Sequence, residues 1–219
     1  MFCSPTYRDI GQEIRQGGCT VYDMGQIAEL IKEGADSPTD AYAPDGDDIA
    51  SIVFTSGTTE QSKGVILSHR NFALDAYCAA QNIQLIGDSL LLLPLHHTFG
   101  LVASIYFQMY HGNTVYINRS LKRTAEDIRK CCPTHLIVVP LIADQLCRNV
   151  WIKAKQQNKD KLLRKLMKVS GVLMKIGIDA RRKLFSSVLE GFGGRLEYNV
   201  SGGAPIERSI IDMMEASRP

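Results

Sequence analysis

The stretch SLLLLPLHHTFGLVASIYFQMYHGNTVYIN, Ser89 to Asn118, sets the architecture. It opens on an apolar run closed by Pro94, passes through a helical stretch from Phe99 to Tyr110, and returns to a second apolar run, TVYIN. Ser89 to Tyr110 is 22 residues without a formal charge, a length that could cross a bilayer. Pro94, His96, His97, Thr98, Gly100 and Gln108 interrupt it, so the spacing predicts a buried strand, a loop and a helix instead.

The same alternation extends outward in both directions. IASIVF (Ile49 to Phe54) precedes a helical pattern at Asn71 to Asn82, and TVYIN precedes another at Thr124 to Cys131. HLIVVP (His135 to Pro140) leads into a long helical region from Leu141 to Leu189, and RLEYNVSGG leads into Glu207 to Ala216. Strands that are nearly continuous apolar runs, alternating with helices, predict an α/β fold: a mostly parallel sheet with helices on both faces. The region 141–189 is longer than a crossover needs and reads as a basic helical insertion, broken near Asn158 and Gly177. Residues 1–48 read as an acidic N-terminal segment and connector, with one short helix at Gly25 to Glu33 and no core of its own. Residues 49–219 form the α/β domain.

The 219 residues carry 25 Lys and Arg against 23 Asp and Glu, too balanced for an overall nucleic-acid or membrane field. Charge is local. Met1 to Lys63 holds 4 basic and 11 acidic residues, whereas Trp151 to Phe185 holds 11 basic and 2 acidic. No aromatic residues interleave with the lysines of the insertion to stack bases, so no nucleic-acid partner is expected. A solvated face is the plain reading of those charges, an anionic membrane surface the alternative. Six cysteines without a CxxC pair fit reduced thiols in a cytosolic chain.

The chemistry concentrates in IVFTSGTTEQSKGVILSH, Ile52 to His69. After a strand ending near Phe54 come Thr55, Ser56, Gly57, Thr58 and Thr59, four hydroxyls around one glycine. Ligands of α/β sheets sit beyond the carboxyl ends of strands, and such a turn can form a backbone nest for anions with hydroxyl donors added. Lys63 supplies a mobile positive charge suited to phosphate, and Gly64 lets the chain turn back. This is not a Walker loop, in which glycine directly precedes the lysine. A Ser/Thr-rich surface turn is the bland alternative.

TSGTTEQSKGV resembles the TSGTTGxPKGV signature of the adenylate-forming synthetases, a family that includes acyl-CoA synthetases, luciferases and peptide-synthetase adenylation domains. It departs from that signature at Glu60 and Ser62. LPLHHTFG (Leu93 to Gly100) is similar to the family's second motif, and SGGAPI (Ser201 to Ile206) to the segment lining the adenine pocket. HH in the second motif, with the basic insertion, resembles the long-chain fatty acyl-CoA synthetase branch. The likeness of the motifs runs from about Asp45 to the end.

The resemblance implies an ATP-dependent fatty acid–CoA ligase using ATP, Mg²⁺ and coenzyme A. Thr55, Ser56, Gly57, Thr58, Thr59 and Lys63 would hold the β and γ phosphates with Gly64 beside them. His97 would border the carboxylate end of the acyl site, and Gly202, Gly203, Ala204 and Pro205 the adenine. Lys63 and His97 are thus the catalytic candidates. On an extended segment adjacent side chains point to opposite sides, so one of His96 and His97 is expected to be structural. No Cys, Asp or Glu stands near enough in sequence to make the pair a metal site. The family's metal-assisting glutamate, ribose-binding aspartate and C-terminal lysine have no counterpart here, so the chain reads as a central fragment that does not turn over alone. A nucleotide- or acyl-binding module without chemistry is the alternative, favoured by Glu60. The implied location is cytoplasmic, peripheral to membranes.

Overall fold

The computed structural model describes residues 2–55 and 63–216. It divides into two compact units, Met1–Pro44 and Asp45–Pro219.

The first unit holds a short parallel pair, β1 (Phe2–Cys3) with β2 (Tyr22–Asp23), and two helices, α1 (Arg8–Gln16) and α2 (Ile27–Asp36). Contrary to the reading of a segment without a core, Cys3 and Val21 are buried here. Gly11 of α1 closes on them: a Cβ there would stand 3.0 Å from the Cys3 sulfur. Helix α1 escaped the pattern search because its apolar content is two isoleucines, Ile10 and Ile14.

In the second unit β3 (Ile49–Thr55) and β4 (Lys63–Ser68) form an antiparallel pair, Thr55 opposite Lys63 and Phe54 opposite Gly64. This corrects two expectations. The IASIVF strand does not join the parallel sheet, and Gly64 is a strand residue rather than the turn. Ser68 then caps α3 (His69–Asn82) by a reciprocal capping box with Asn71, which satisfies two of the helix's free backbone donors.

The parallel sheet follows. Strand β5 (Asp88–Leu91) leads to α4 (Thr98–Leu101), a π-helical turn over Val102–Tyr106 and α5 (Phe107–Tyr110). Next come β6 (Thr114–Ile117), α6 (Thr124–Cys131) and β7 (His135–Val138). The insertion comprises α7 (Pro140–Gln156), α8 (Asp160–Lys175), α9 (Arg181–Leu184) and α10 (Ser186–Gly191). Its breaks fall where the sequence placed them, at Asn158 with φ 56° and Gly177 with φ 77°. Strand β8 (Tyr198–Ser201) and α11 (Arg208–Ala216) complete it.

The sheet order is β6-β5-β7-β8, every neighbour parallel. All four residues of β7 are buried, as a central strand covered on both faces requires. Leu90, Leu92, Leu136 and Val138 pack with Ile128 of α6, Ala143 and Leu146 of α7, and Ile210 and Met213 of α11. A smaller cluster joins Ala80 of α3 and Phe107 of α5 to Leu85, with Val200 of β8 against it. Helices therefore cover both faces, as expected. Each fully buried Leu or Val contributes about 1.5–3 kcal/mol. No helix among the described residues is long and apolar enough to cross a membrane, and the uncharged stretch 89–110 resolves into strand, loop and interrupted helix.

Candidate functional site

Parallel strands present their carboxyl ends on one edge, the usual ligand edge of an α/β sheet. At that edge β5 runs on through Pro94 to a turn at Leu95 and His96, with His97 at the N-cap of α4. Strand β8, two positions away across β7, runs on into Gly202 and Gly203. The Gly202 N–H donates to the Val138 carbonyl at 3.2 Å, extending the β7–β8 ladder by one bond.

The two segments meet through Phe99. A Cβ on Gly202 would lie 2.5 Å from the Phe99 ring, so the absence of a side chain there lets the ring close over the backbone. Gly100 is held just as tightly, because a Cβ would run into the Pro94 carbonyl oxygen. Gly203, with φ +82°, turns the chain away from β8. Ala204 and Pro205 follow, exposed. Phe99 is the contact the motif reading missed; the signal was a glycine in each of the two motifs.

The histidine expectation is corrected. His96 lies in a turn, not an extended segment, and its ring stands 4.3 Å from that of His97, centroid to centroid, both rings exposed. The two therefore face the same surroundings. The described residues hold no group of three His, Cys, Asp or Glu side chains able to cage a metal.

A buried polar network fixes α5 at the opposite end of the sheet, where β5, β6 and β7 begin. His135 of β7 donates from Nε2 to Gln108 Oε1 at 2.8 Å; Asn113 donates to the same oxygen at 2.7 Å and to the Leu85 carbonyl at 2.7 Å. Gln108 in turn donates to the Ala103 carbonyl at 3.2 Å, within the π turn. Burial pushes the His135 pKa down to about 4, with Asp88 opposing and His111 adding to the effect, so the imidazole is neutral.

Thr55 and Lys63 face each other across the β3–β4 pair, on the strand ends that segment 56–62 joins. Ser56, Gly57, Thr58 and Thr59, like Glu60, lie outside the described residues. The structure thus gathers two groups of expected residues: Thr55, Lys63 and Gly64 on β3–β4, and His97 with Gly202, Gly203, Ala204 and Pro205 at the parallel strand ends.

Known proteins share the sequence pattern and the fold. The sequence pattern of the AMP-binding enzyme family matches residues 5–218, which takes in the N-terminal unit as well as the motif-bearing one. Long-chain-fatty-acid–CoA ligase 2 of Schizosaccharomyces pombe is 28% identical over 223 residues, covering 94% of this chain and 32% of the relative. Long-chain-fatty-acid–CoA ligase 1 of Homo sapiens is 27% identical over 211 residues, covering 91% and 30%. The chain therefore spans about a third of the length of these curated relatives. Among solved structures, the N-terminal domain of FACL13 from Mycobacterium tuberculosis superposes with a TM-score of 0.65 at 20% identity, covering 98% of this chain and 47% of that one. An ATP-bound RpMatB-BxBclM chimera gives 0.62 at 23%, covering 98% and 37%. With the motifs in family order, the sheet and helices in the family's fold, and the match running nearly end to end, the chain belongs to the AMP-binding enzyme family.

Proposed function

We propose that this chain is part of an ATP-dependent long-chain fatty acid–CoA ligase. In that reaction a carboxylate attacks the α-phosphate of ATP, releasing pyrophosphate and leaving an acyl-adenylate; the thiol of coenzyme A then displaces AMP to form the thioester. The packing of Phe99 on Gly202 carries the reading, because it holds HHTFG and SGGAPI against each other at the ligand edge of the sheet. The names of the relatives supply the fatty-acid class.

In this proposal Thr55, Ser56, Gly57, Thr58, Thr59 and Lys63, with Gly64, hold the β and γ phosphates. His97 borders the carboxylate, and Gly202, Gly203, Ala204 and Pro205 line the adenine. The protein's part is to position the groups and stabilise developing charge. Mg²⁺ fits as a companion of ATP, since it binds readily through substrate phosphates. We also propose that residues 49–219 act as a partial AMP-binding domain that does not turn over alone, and that it works in the cytoplasm at the surface of anionic membranes. Exposed Leu162, Val169, Val172 and Ile176 run along α8 and just past it, among Lys161, Lys165, Lys168 and Lys175, which supports that contact.

Calorimetric titration with non-hydrolysable acyl-adenylate analogues tests the reading. A hexadecanoyl analogue is expected to bind at least tenfold more tightly than an acetyl analogue, with no palmitate-dependent pyrophosphate release from ATP. Equal affinities would point to small carboxylates instead. Glu60 favours one alternative, a binding module without chemistry, because its carboxylate adds like charge beside a polyphosphate, about 1 kcal/mol at 4 Å in water.

A further inference from the structure

The insertion borders a partly open cavity of about 350 Å³ between α6, α7, α8, α9 and α10. It is remote from the ligand edge of the sheet. Helix α7 leaves that edge at Pro140, and Lys153, which lines the cavity, stands about 20 Å further along the helix at 1.5 Å per residue. Ile128 and Leu146 of the cavity lining belong to the larger core cluster, whereas Phe107 of α5, on the helical stretch that follows the second motif, belongs to the smaller one.

Its lining is largely apolar, with two lysines at one end. On α7, Leu146, Asn149, Val150, Lys153 and Gln157 recur at three- and four-residue spacing and so share one helix face. The apolar wall is completed by Leu163 and Leu166 of α8 and by Phe185 and Phe192 at either end of α10. Lys153, Gln157 and Lys159 stand where α7 turns into α8, while Asn149 of α7 and Ser187 and Glu190 of α10 are the polar residues elsewhere in the lining. Neither lysine takes part in any ion pair found among the described residues, and Glu190 is the one acidic residue in the lining. An apolar chamber ending in two uncommitted ammonium groups matches an amphiphile with a negative head. At about 350 Å³ it stands at the small end of ligand pockets, roughly 300–1,000 Å³, suited to one alkyl chain rather than two.

We propose that this cavity is a second binding site for a single-chain anionic amphiphile, a long-chain carboxylate, with the chain among Leu146, Val150, Leu163, Leu166, Phe185 and Phe192 and the head at Lys153 and Lys159. The site is separate from the adenylate site and its existence does not depend on the ligase reading.

Trp151, the chain's one tryptophan, adjoins Val150 on α7 and lies under Arg164, 4.8 Å from its ring centroid, so it reports on the cavity. Dodecanoate titrated below its aggregation concentration should change Trp151 fluorescence saturably, at one molecule per chain. Decanoate should bind more weakly, by roughly fourfold for each missing methylene, and the neutral dodecanol should bind at least tenfold more weakly than dodecanoate. Lys153→Glu with Lys159→Glu should cost at least tenfold in dodecanoate affinity with an unchanged circular dichroism spectrum. Leu162→Glu, at a half-exposed position on the rim, should do the same in a fold that tolerates it. Affinities unchanged in both variants would overturn the proposal, as would equal affinities for decanoate and dodecanoate. So would stoichiometric displacement by the acyl-adenylate analogue, which would place the ligand at the strand ends. A concentration-dependent dimer that Leu162→Glu dissociates would make the cavity a contact between copies and equally overturn it. Failure of the analogue to bind, with dodecanoate binding intact, would instead count against the ligase reading alone.

Discussion

Gly202 shows how much can rest on one hydrogen atom. A methyl group there would meet the Phe99 ring at 2.5 Å, so Gly202→Ala is expected to destabilise the chain by about 1–3 kcal/mol, the range for overpacking. Phe99→Leu should recover part of that loss, and urea unfolding of the four members of the cycle measures the coupling. His135 carries a pH dependence of determinate sign. Its folded pKa of about 4 lies below the ordinary 6.5, so between these values the unfolded chain binds a proton that the folded chain does not. Stability is full above pH 6.5 and falls toward pH 4 by about 1.4 kcal/mol per unit, near 3 kcal/mol in all. The aspartates whose pKa values are lowered, such as Asp127 beside Arg119, lose their contribution only below their ordinary value of 3.8, and Glu126 only below its ordinary 4.5. His135→Gln should therefore flatten the slope between pH 6.5 and 4, whatever it costs at neutral pH. The place of the motif glycines and His97 at the strand ends was legible because their motifs are local strings. Phe99 and the Gln108–His135 pair were not, because each joins residues distant in sequence, and no periodicity records which side chains meet.

At the scale of elements, the strand–helix alternation was legible because β5, β6 and β7 are short apolar runs between turn residues, and the helix breaks because Asn158 and Gly177 tolerate positive φ. Strand β3 was misplaced for a plain reason: apolar content shows that a strand is buried or paired, not which strand pairs with it. The insertion offers a test of charge in context. Lys161, Lys165, Lys168 and Lys175 lie beside exposed Leu162, Val169, Val172 and Ile176, and about 1 kcal/mol per basic residue is available near an anionic leaflet. Sedimentation with vesicles containing phosphatidylserine should show binding that rises with the acidic lipid fraction and falls between 50 and 300 mM salt, roughly as the screening length shortens. Binding to neutral vesicles alone, or none to either, would mean that these lysines merely solvate the helix.

For the whole molecule, the fold and the family were legible from three ordered motifs and one alternating pattern, while the N-terminal unit was not. Its buried core is essentially Cys3, Val21 and Gly11, too small to stand out from an acidic sequence. The chain spans about a third of the length of these curated relatives, so its proposed site is tested here by binding. The central proposal is that β3–β4 holds the β and γ phosphates of ATP, while the ends of β5 and β8 hold the adenylate and the carboxylate joined to it. Calorimetric titration of the hexadecanoyl-adenylate analogue and of ATP into the native chain, Gly202→Ala, Lys63→Ala and Glu60→Gly tests it most directly. The expected result for the analogue is one site per chain whose affinity falls at least tenfold in the Gly202→Ala background; for ATP, Lys63→Ala should weaken binding by about tenfold or more and Glu60→Gly should tighten it, the gain shrinking as salt rises. Indistinguishable affinities across native and variant chains, with their folds intact, would contradict the claim.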